Sequence, residues 1–413
     1  LRVSDNGHFI VHKNGSPFFF MAYTAWQIWP KLSKEDISYY FKRRSEQGFN
    51  VIMFSASNGF AMEVNAENYY GHRPFTDDST LTINRLAGED NDWWDHLLWS
   101  VKEAEKNGLY IGLTIAFNPN YKKFDNKEKC RRITTYIYDL LKNQPNIIWI
   151  GGGDVLDYEN FIDYQIEPMK TIKTLCDTCL TLYHPYGHQK SSNAYHYEPW
   201  LDVNGVQTGH AKQNDINLIT YPYSDWNLSP SKPTINIEMS YENHPILQGK
   251  GKFDDFDIRQ QAYWSVFSGS CGLGYGHNEV WRFNNENKKG EPNWKDAIEA
   301  NGAKQLIDLK ELMCSKPYTQ RIPDLGLVTD TGNGIHHIAG TRGEDYAFIY
   351  LPTGNKIWVV MGKIKGKRVT ASWFDPRTGE KNLIGVFKNK GIQQFSPRSS
   401  GRGNDWVLIL ESK

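Results

Sequence analysis

The sequence lacks an excess of either charge and has no long apolar run. Its 413 residues include 47 Lys and Arg against 47 Asp and Glu, so the formal net charge is zero. A protein built to hold nucleic acid needs a basic field, so this balance argues against nucleic acid as a partner. The longest apolar candidate, Pro17 to Trp26, is much shorter than the roughly 20 residues that cross a bilayer. We therefore expect no membrane span.

Cysteine is scarce, and its spacing gives no sign of a metal site. Five occur, and Cys176 and Cys179 form a C-x-x-C motif inside a predicted helix, Met169 to Leu182. No second Cys or His pair stands at zinc spacing, so we expect buried thiols and no metal. A glycine-rich dinucleotide turn is missing after the first predicted strand, and no Lys-Ser/Thr follows the Gly151 to Gly153 run. The sequence therefore predicts no cofactor.

Apolar and aromatic residues, in contrast, are plentiful. Hydrophobic residues make up 39% of the chain and aromatic residues 14%, with 14 Trp and 23 Tyr. This content excludes whole-chain disorder. Trp and Tyr suit a ligand that is half apolar ring and half hydroxyls, although a large aromatic core would also need them. The chain begins at Leu1, so we expect either an exported protein whose signal peptide has been removed or a trimmed sequence.

Short apolar stretches alternate with amphipathic helical stretches as far as residue 317. A hairpin around His8 to His12 comes first. Strands are predicted at 18–25, 50–54, 109–117, 146–151, 182–184, 233–237 and 272–276, and helices at 33–48, 93–107, 127–142, 161–182 and 258–268. Such alternation is typical of a parallel sheet covered on both faces. We predict an α/β protein with a (β/α)8 TIM barrel over residues 1–317; a doubly wound open sheet is the alternative.

The pattern changes after Lys316-Pro317, where helical periodicity ends. Short strands are predicted at 325–329, 336–341, 346–351, 357–361, 369–374, 382–387 and 406–410, separated by turns such as Asp375 to Gly379. This spacing is typical of an antiparallel β-sandwich, so we expect a small second domain over residues 318–413. We interpret the charge run Lys363 to Arg368 as a solvated hairpin edge.

Two carboxyl groups follow apolar strands closely enough to be catalytic candidates. Asp154 leaves the predicted strand at 146–151 through three glycines, and Glu238 directly follows the predicted strand at 233–237; in the count of eight barrel strands we take these as the fourth and the seventh. The active sites of such barrels lie at the carboxyl ends of the strands, so the two side chains can meet across the mouth. Glycoside hydrolysis needs such a pair. The ordinary alternatives are a helix cap for Asp154 and a core salt bridge for Glu238.

Other polar and aromatic residues follow the predicted strands and suit a sugar site. Amide and imidazole groups hydrogen-bond hydroxyls, and aromatic rings stack on a sugar face. Each His taken singly is as well explained by a satisfied structural role. The predicted substrate-binding residues are Tyr23, Trp26, Asn58, His184, Gln207, His210, Tyr241, Glu242, His277 and Trp281.

Several of these motifs, in order along the chain, resemble a known enzyme family. They are Pro17 to Phe20 with Thr24-Ala25-Trp26, Gly48 to Ile52, Asn146 to Asp154, His184-Pro185, Glu198 to Asp202 with Gln207 to His210, Lys232 to Glu238 with Tyr241-Glu242, and Tyr275 to Trp281. Together they are similar to the apiosidase-like glycoside hydrolases, family 140. The C-terminal part resembles the sandwich, labelled collagen-binding, that follows this barrel.

The resemblance implies an exported bacterial enzyme that cleaves glycosidic bonds in plant pectin, with rhamnogalacturonan II side chains as the best-known target. It implies Asp154 as the acid/base and Glu238 as the nucleophile. One position departs from the family pattern, because Tyr23 stands where an Asp is usual. If that Asp touches substrate, specificity differs in this chain. Nothing in the sequence indicates collagen binding, and we interpret the second domain as a buttress.

Our main hypothesis is therefore a retaining glycosidase that acts on an oligo- or polysaccharide, with a two-carboxylate mechanism. The alternative is a non-catalytic carbohydrate-binding protein on a degenerate barrel, which would keep the aromatic rim without needing two opposed carboxylates. A polysaccharide lyase is a weaker option, because it would usually need a cation and the sequence has no acidic metal cluster. The sequence leaves the oligomeric state open.

Overall fold

An N-terminal hairpin leads into the strands of a large sheet. The computed structural model describes residues 1–57, 65–115, 117, 123–154, 162–286 and 290–413. In the hairpin, β1 (Arg2–Val3) pairs antiparallel with β2 (Ile10–Val11). The strands that follow are β3 (Phe20–Thr24), β4 (Val51–Ser55), β5 (Tyr110–Thr114), β6 (Ile147–Gly152), β7 (Thr181–His184), β8 (Gln189–Lys190), β9 (Asn204–Gln207), β10 (Thr234–Glu238) and β11 (Gly272–Tyr275).

Eight of these strands run parallel and close into a barrel. Their order is β7-β6-β5-β4-β3-β11-β10-β9, and β8 runs antiparallel beside β9. A parallel bridge between Leu182 and Val203 joins the two ends of the sheet. Because both faces are covered, the strands are buried along almost their whole length. The predicted (β/α)8 barrel is confirmed.

The helices begin where the sequence provides capping side chains. Ser33, Asp92 and Asn126 each accept a hydrogen bond from a first-turn backbone N–H, and Asp254 forms a capping box with Asp257. The helices are α1 (Ile28–Lys31), α2 (Lys34–Glu46), α3 (Trp93–Lys106), α4 (Lys127–Leu141), α5 (Ile162–Leu175), α6 (Ser192–Tyr195), α7 (Asn217–Trp226), α8 (Asp255–Phe267), α9 (Trp294–Ala297) and α10 (Asn301–Cys314). None of those described is long and apolar enough to cross a membrane.

One barrel strand, β9, was missing from the sequence prediction. Its sequence, Asn-Gly-Val-Gln, has no apolar run, so periodicity alone cannot identify it. Gly205 lies so close to the neighbouring strand that a Cβ atom there would meet the carbonyl oxygen of Tyr183 at 1.8 Å. The strand therefore forms because its backbone pairs closely with the neighbouring strands, and not because of an apolar pattern in its own sequence.

The prediction of a helix through both C-x-x-C cysteines is wrong. Helix α5 ends at Leu175, and Cys176 and Cys179 form a disulfide in the turn that follows. The other three cysteines are free; Cys130 and Cys271 are buried, whereas Cys314 is exposed. The expectation of buried thiols therefore holds for two of the five.

The C-terminal strands form a six-stranded sheet and a two-stranded sheet. The strands are β12 (Ile322–Pro323), β13 (Ala339–Arg342), β14 (Tyr346–Leu351), β15 (Ile357–Met361), β16 (Arg368–Phe374), β17 (Lys381–Lys388), β18 (Gly391–Phe395) and β19 (Trp406–Ser412). The larger sheet has the order β12-β13-β14-β19-β16-β17, and β15 pairs with β18. All pairings are antiparallel, as predicted.

Two details of this prediction are corrected. The predicted strand at 325–329 is a 3₁₀ turn over Leu325–Leu327, because the Asp324 side chain accepts a hydrogen bond from the backbone N–H of Gly326. Strand β18 was missed, because Gln393 and Gln394 interrupt its apolar residues.

The six-stranded sheet is packed on both faces. On β14, Tyr346, Phe348 and Tyr350 belong to the barrel's apolar core, whereas Ala347 and Ile349 face the core of the sandwich. Arg259 of α8 makes a buried two-point ion pair with Asp405, at 2.9 and 3.1 Å. The two domains are therefore joined by apolar packing and by a buried ion pair.

Candidate active site

A cavity opens at the carboxyl ends of the barrel strands. It is lined by Trp26, Asp154, Gln207, His210, Glu238, Tyr241, His244 and Trp281. Gln207 and Glu238 are the last residues of β9 and β10, and Asp154 lies two residues beyond β6. Seven of the eight were predicted from the sequence. The rule that barrel chemistry gathers at strand ends explains why they come together.

Asp154 is placed by an unusual backbone turn. Gly152, Gly153 and Asp154 have φ angles of +76°, +108° and +54°. A Cβ atom at Gly152 would lie 2.2 Å from the carbonyl oxygen of His184, and one at Gly153 would lie 2.7 Å from the Phe117 ring. Only glycine fits these two positions, and Asp is among the residues that tolerate the left-handed region. The turn therefore carries the partly buried Asp154 carboxyl into the cavity.

Glu238 is almost fully buried, at 3% exposure, and four side chains direct hydrogen-bonding groups to its two oxygens. Gln207 donates to Oε1 at 2.9 Å, and the Tyr241 hydroxyl donates to Oε2 at 2.6 Å. Nε2 of His210 lies 3.4 Å from Oε1, and Nε2 of His184 lies 3.4 Å from Oε2. A buried carboxylate needs such partners, because desolvation otherwise favours its neutral form.

The two histidines act on Glu238 in different ways. Nδ1 of His210 accepts from the backbone N–H of Tyr241 at 3.2 Å, so its Nε2 carries the proton that faces Glu238. His184 faces an oxygen acceptor at each ring nitrogen, because Nδ1 lies 3.0 Å from the carbonyl oxygen of Pro185. Burial alone would lower the pKa of His184, but the hydrogen bond and charge of Glu238 raise it above the ordinary value. His184 is therefore favoured as an imidazolium.

The pKa values of the two carboxyl groups are shifted in opposite directions. Burial and the nearby charge of Glu238 raise the pKa of Asp154 to about 6, against the opposing effect of His184. Burial would also raise the pKa of Glu238, but the hydrogen bonds from His184 and His210 and the charge of His184 hold it well below the ordinary value. Near neutral pH the site holds an ionised glutamate, and just below pH 6 it also holds a protonated aspartic acid. Two carboxyl groups whose pKa values are shifted apart in this way are suited to the roles of general acid and nucleophile.

Aromatic rings form one wall of the cavity. The Trp26 indole donates to the Tyr241 hydroxyl at 2.9 Å and packs on Phe117 with ring centroids 4.2 Å apart. Trp281 follows β11 and lines the same space. An aromatic wall beside fixed hydrogen-bonding groups suits a ring that carries hydroxyls.

Four of the predicted binding residues do not line this cavity: His184 is fully buried and reaches the site through Glu238, and the other three make their contacts elsewhere. Tyr23 is fully buried, and the Arg44 guanidinium of α2 stacks 3.7 Å from the centroid of its ring. Glu242 accepts from the Tyr275 hydroxyl at 2.6 Å and from the backbone N–H of Gly302 at 3.2 Å. Tyr23 faces the surrounding helices because side chains alternate between the two sides of the barrel wall. Glu242 lies beyond the end of β10 and contacts the first turn of α10.

The third of these residues, His277, is buried, and burial is the first cause that lowers its pKa to about 3. Its Nδ1 accepts from the backbone N–H of Glu279 at 3.1 Å, which fits a structural role in the turn after β11. Asn58 was also predicted to bind substrate, and it lies outside the described residues. Among the residues described, no group of three His, Cys, Asp or Glu side chains is arranged to hold a metal ion.

His244 was not predicted, although it lines the cavity. It stacks on His210 with centroids 4.4 Å apart and an interplanar angle of 27°. Burial and the neighbouring His210 lower the pKa of His244 to about 4, so the ring is neutral near neutral pH. Its position in the loop after β10, close to Tyr241 and Glu242, is the signal that could have found it. The site therefore has a stacked imidazole pair beside the buried glutamate.

Comparison with known proteins relates the chain to one enzyme family. Residues 4–320 match the family described as "Apiosidase-like, catalytic domain". Residues 322–411 match the family described as "Putative collagen-binding domain of a collagenase". No curated protein matches the sequence.

Two solved structures are similar over the whole chain. One, titled "Glycoside hydrolase", is 30% identical, with 100% of this chain and 97% of that chain covered and a TM-score of 0.93. The other is described as a glycoside hydrolase family 5 from Bacteroides vulgatus ATCC 8482. It is 29% identical, with 100% and 92% coverage and a TM-score of 0.92. Barrel and sandwich therefore occur together in these relatives.

Proposed function

Since this chain belongs to the apiosidase-like glycoside hydrolases, we propose that it cleaves a glycosidic bond in plant cell-wall pectin, on a side chain of rhamnogalacturonan II. Its activity as a glycosidase follows from the family and the similar solved structures. The pectin target and the mechanism are our proposal. The observation that carries the mechanism is one cavity holding two carboxyl groups whose pKa values move in opposite directions.

Asp154 is the general acid in this mechanism. Its raised pKa, about 6, keeps a proton available at mildly acidic pH. That proton passes to the glycosidic oxygen as the bond to the anomeric carbon breaks. In the second half of the reaction the Asp154 carboxylate removes a proton from the attacking water, which restores the starting state.

Glu238 is the nucleophile in this mechanism. Its lowered pKa keeps it ionised, so one oxygen is ready to bond to the anomeric carbon. The donors from Gln207 and Tyr241 fix the carboxylate and limit its rotation. A retaining outcome requires the two carboxyl groups to stand about 5–5.5 Å apart, closer together than the carboxyl groups of an inverting pair.

We also propose that the protein is exported. The disulfide between Cys176 and Cys179 supports this, because disulfides persist in oxidising compartments and are rare in the reducing cytosol. A polysaccharide of the plant cell wall is available only outside the cell that makes the enzyme. Export and the proposed substrate therefore agree with each other.

The test is incubation of the full chain with purified pectic fractions, followed by chromatography of the released sugars. We expect release from rhamnogalacturonan II and none from the Asp154→Asn or Glu238→Gln variants. Release from a non-pectic polysaccharide alone would reject the pectin proposal and keep the glycosidase. Proton NMR of the first product anomer gives the stereochemistry, and an inverted first product would reject the nucleophile role of Glu238.

A further inference from the structure

The C-terminal domain carries charge that the catalytic site does not use. Residues 318–413 contain 14 Lys and Arg against 8 Asp and Glu, a net charge of +6. The other 317 residues contain 33 against 39, a net charge of −6. The zero net charge of the whole chain therefore conceals a basic domain joined to an acidic one. A separation of this kind creates a field around the sandwich that attracts polyanions.

The strand pair β15–β18 forms the layer of the sandwich farthest from the barrel. The six-stranded sheet packs one face on the barrel and the other on the sandwich core, which includes Ile357, Val359 and Phe395 from the strand pair. Side chains alternate along a strand, so the residues between these point away from both cores. We call this solvent-facing side of β15–β18 the outer face.

The outer face presents a tryptophan among polar and apolar side chains. Trp358 is 41% exposed and stands opposite Gln394, and Val360 stands opposite the 64% exposed Ile392. The Lys356 ammonium lies 5.4 Å from the centroid of the Trp358 ring. A large aromatic ring left in solvent beside an amide and a cation is typical of a binding surface rather than of a core.

Two basic loops lie at one end of the outer face. They comprise residues 362–368 and 388–390, and the Asn389 side chain ties them together. Its Nδ2 donates to the carbonyl oxygens of Ile364 and Gly366, each at 2.8 Å, and its Oδ1 accepts from the backbone N–H of Gly362 at 2.7 Å. The two segments carry six exposed basic residues: Lys363, Lys365, Lys367 and Lys390 lie in the loops, and Arg368 and Lys388 are the paired terminal residues of β16 and β17 in the six-stranded sheet.

Most of these charges have no internal partner. Lys365 pairs with Glu344, and within the described part of the chain the other five make no ion pair. Like charges held together by a tied loop repel one another, which destabilises the loop unless an anion screens them. The charge run that the sequence presents as a solvated edge is thus a fixed and largely unpaired cluster, at one end of the strand pair that carries the exposed Trp358.

We propose that the outer face and the basic loops bind an acidic polysaccharide built of uronate residues. The Trp358 ring stacks on a sugar face, Gln394 hydrogen-bonds hydroxyls, and the lysines neutralise carboxylates along the polymer. The cluster has five Lys and one Arg, and both side chains pair with carboxylates. The choice of uronate rests on the proposed pectic substrate, and the site holds the enzyme on that substrate without entering the catalytic cavity.

The test is affinity electrophoresis of the full chain in native gels that contain polygalacturonate. All proteins carry Asp154→Asn, so that cleavage does not alter the polymer. One variant carries Trp358→Ala, and another carries Lys363→Gln, Lys367→Gln and Lys390→Gln. The control carries Lys42→Gln, Lys102→Gln and Lys170→Gln, which remove three exposed charges from the barrel and give the same net charge.

We expect both outer-face variants to bind polygalacturonate about tenfold more weakly than the parent, while the barrel control binds like the parent. Binding of the parent should weaken as salt rises. Equal retention of all four proteins would overturn the proposal. Equally tight binding of the parent to a polynucleotide at the same salt would reject sugar recognition and leave a general polyanion surface.

The same substitutions, without Asp154→Asn, separate this proposal from the catalytic one. Hydrolysis of a small soluble glycoside should be unchanged, because the outer face lies on the far side of the sandwich from the barrel. Loss of polygalacturonate binding with unchanged hydrolysis of the small glycoside confirms that the two sites have separate roles. If the parent fails to bind but still releases sugars from pectin, only the outer-face proposal is rejected.

Discussion

The mouth of the barrel and the outer face of the sandwich both present charged and aromatic residues, but they do so in opposite environments. Glu238 is buried, and four side chains direct hydrogen-bonding groups to it, whereas five of the six basic side chains on the sandwich loops have no ion-pair partner in the described residues. Burial shifts the pKa of a titratable group, and proton transfer in a catalytic site needs such a shift. Exposure leaves the charge as a long-range field, which suits capture of a polymer.

The largest effect should come from removing the buried carboxylate. We expect Glu238→Gln to lower kcat by about 10⁴-fold or more, because the nucleophile is lost and its hydrogen-bonding partners remain unpaired. Single-turnover kinetics with an aryl glycoside measure this. Glu128→Gln on the exposed face of α4 is the matched control and should act like the parent. Near-parental turnover by Glu238→Gln would remove Glu238 from the mechanism.

Removal of the general acid, Asp154, should have a smaller effect on activity, and the size of that effect should depend on the leaving group. We expect Asp154→Asn to lower kcat/KM by about 10²–10⁴-fold on poor leaving groups, and much less on activated aryl glycosides. Because the general acid must be protonated, activity of the parent should fall as pH rises through about 6. The variant should lose that alkaline limb, and Asp139→Asn on α4 should keep it. Equal losses on both substrates would argue against the acid role.

A variant of the ion pair between the domains tests how burial of a charge affects stability, without a change to the catalytic residues. Asp405→Asn leaves the Arg259 guanidinium buried without its counter-charge, so we expect the free energy of unfolding to fall by about 3 kcal/mol. Urea denaturation measures this, with the exposed Glu380→Gln as control. Activity per folded molecule should be unchanged. A loss below about 0.5 kcal/mol would show that water reaches this interface.

A change at His184 should shift pH dependence more than maximal rate. Its imidazolium helps to hold the pKa of Glu238 down, so His184→Ala should raise that pKa. The nucleophile must be ionised, so the acidic limb of kcat/KM should move to higher pH by about one unit. His336→Ala on the sandwich should leave the profile unchanged. An unmoved acidic limb with a lower rate would assign His184 a purely structural role.

The smallest effect is expected on the outer face. Trp358→Ala removes an exposed ring, so the free energy of unfolding should change by less than about 0.5 kcal/mol. Trp373→Ala removes a ring from the sandwich core and should cost about 3 kcal/mol or more. Thermal melts of the two variants measure this contrast. Comparable losses would mean that Trp358 supports the fold rather than a ligand.

The elements with strong local patterns were the ones that sequence reasoning found. β15 was predicted at its observed bounds, and helix α2 begins at the predicted cap, Ser33. The weakly patterned strands β9 and β18 were missed, because their polar residues are held by neighbouring strands. In the site, the strand-end rule found Trp26 and Gln207 but could not tell which residues face the cavity.

The sequence alone determined the barrel, the sandwich and the two carboxyl groups, because apolar periodicity and strand-end position are local properties of the chain. Only the tertiary structure decided that Tyr23 faces the helices and Glu242 contacts α10, while His244 faces the cavity. It also decided the different acidities of Asp154 and Glu238. Those depend on desolvation and on donors brought from β7, β9 and the loops after β9 and β10, which no spacing along the chain reveals.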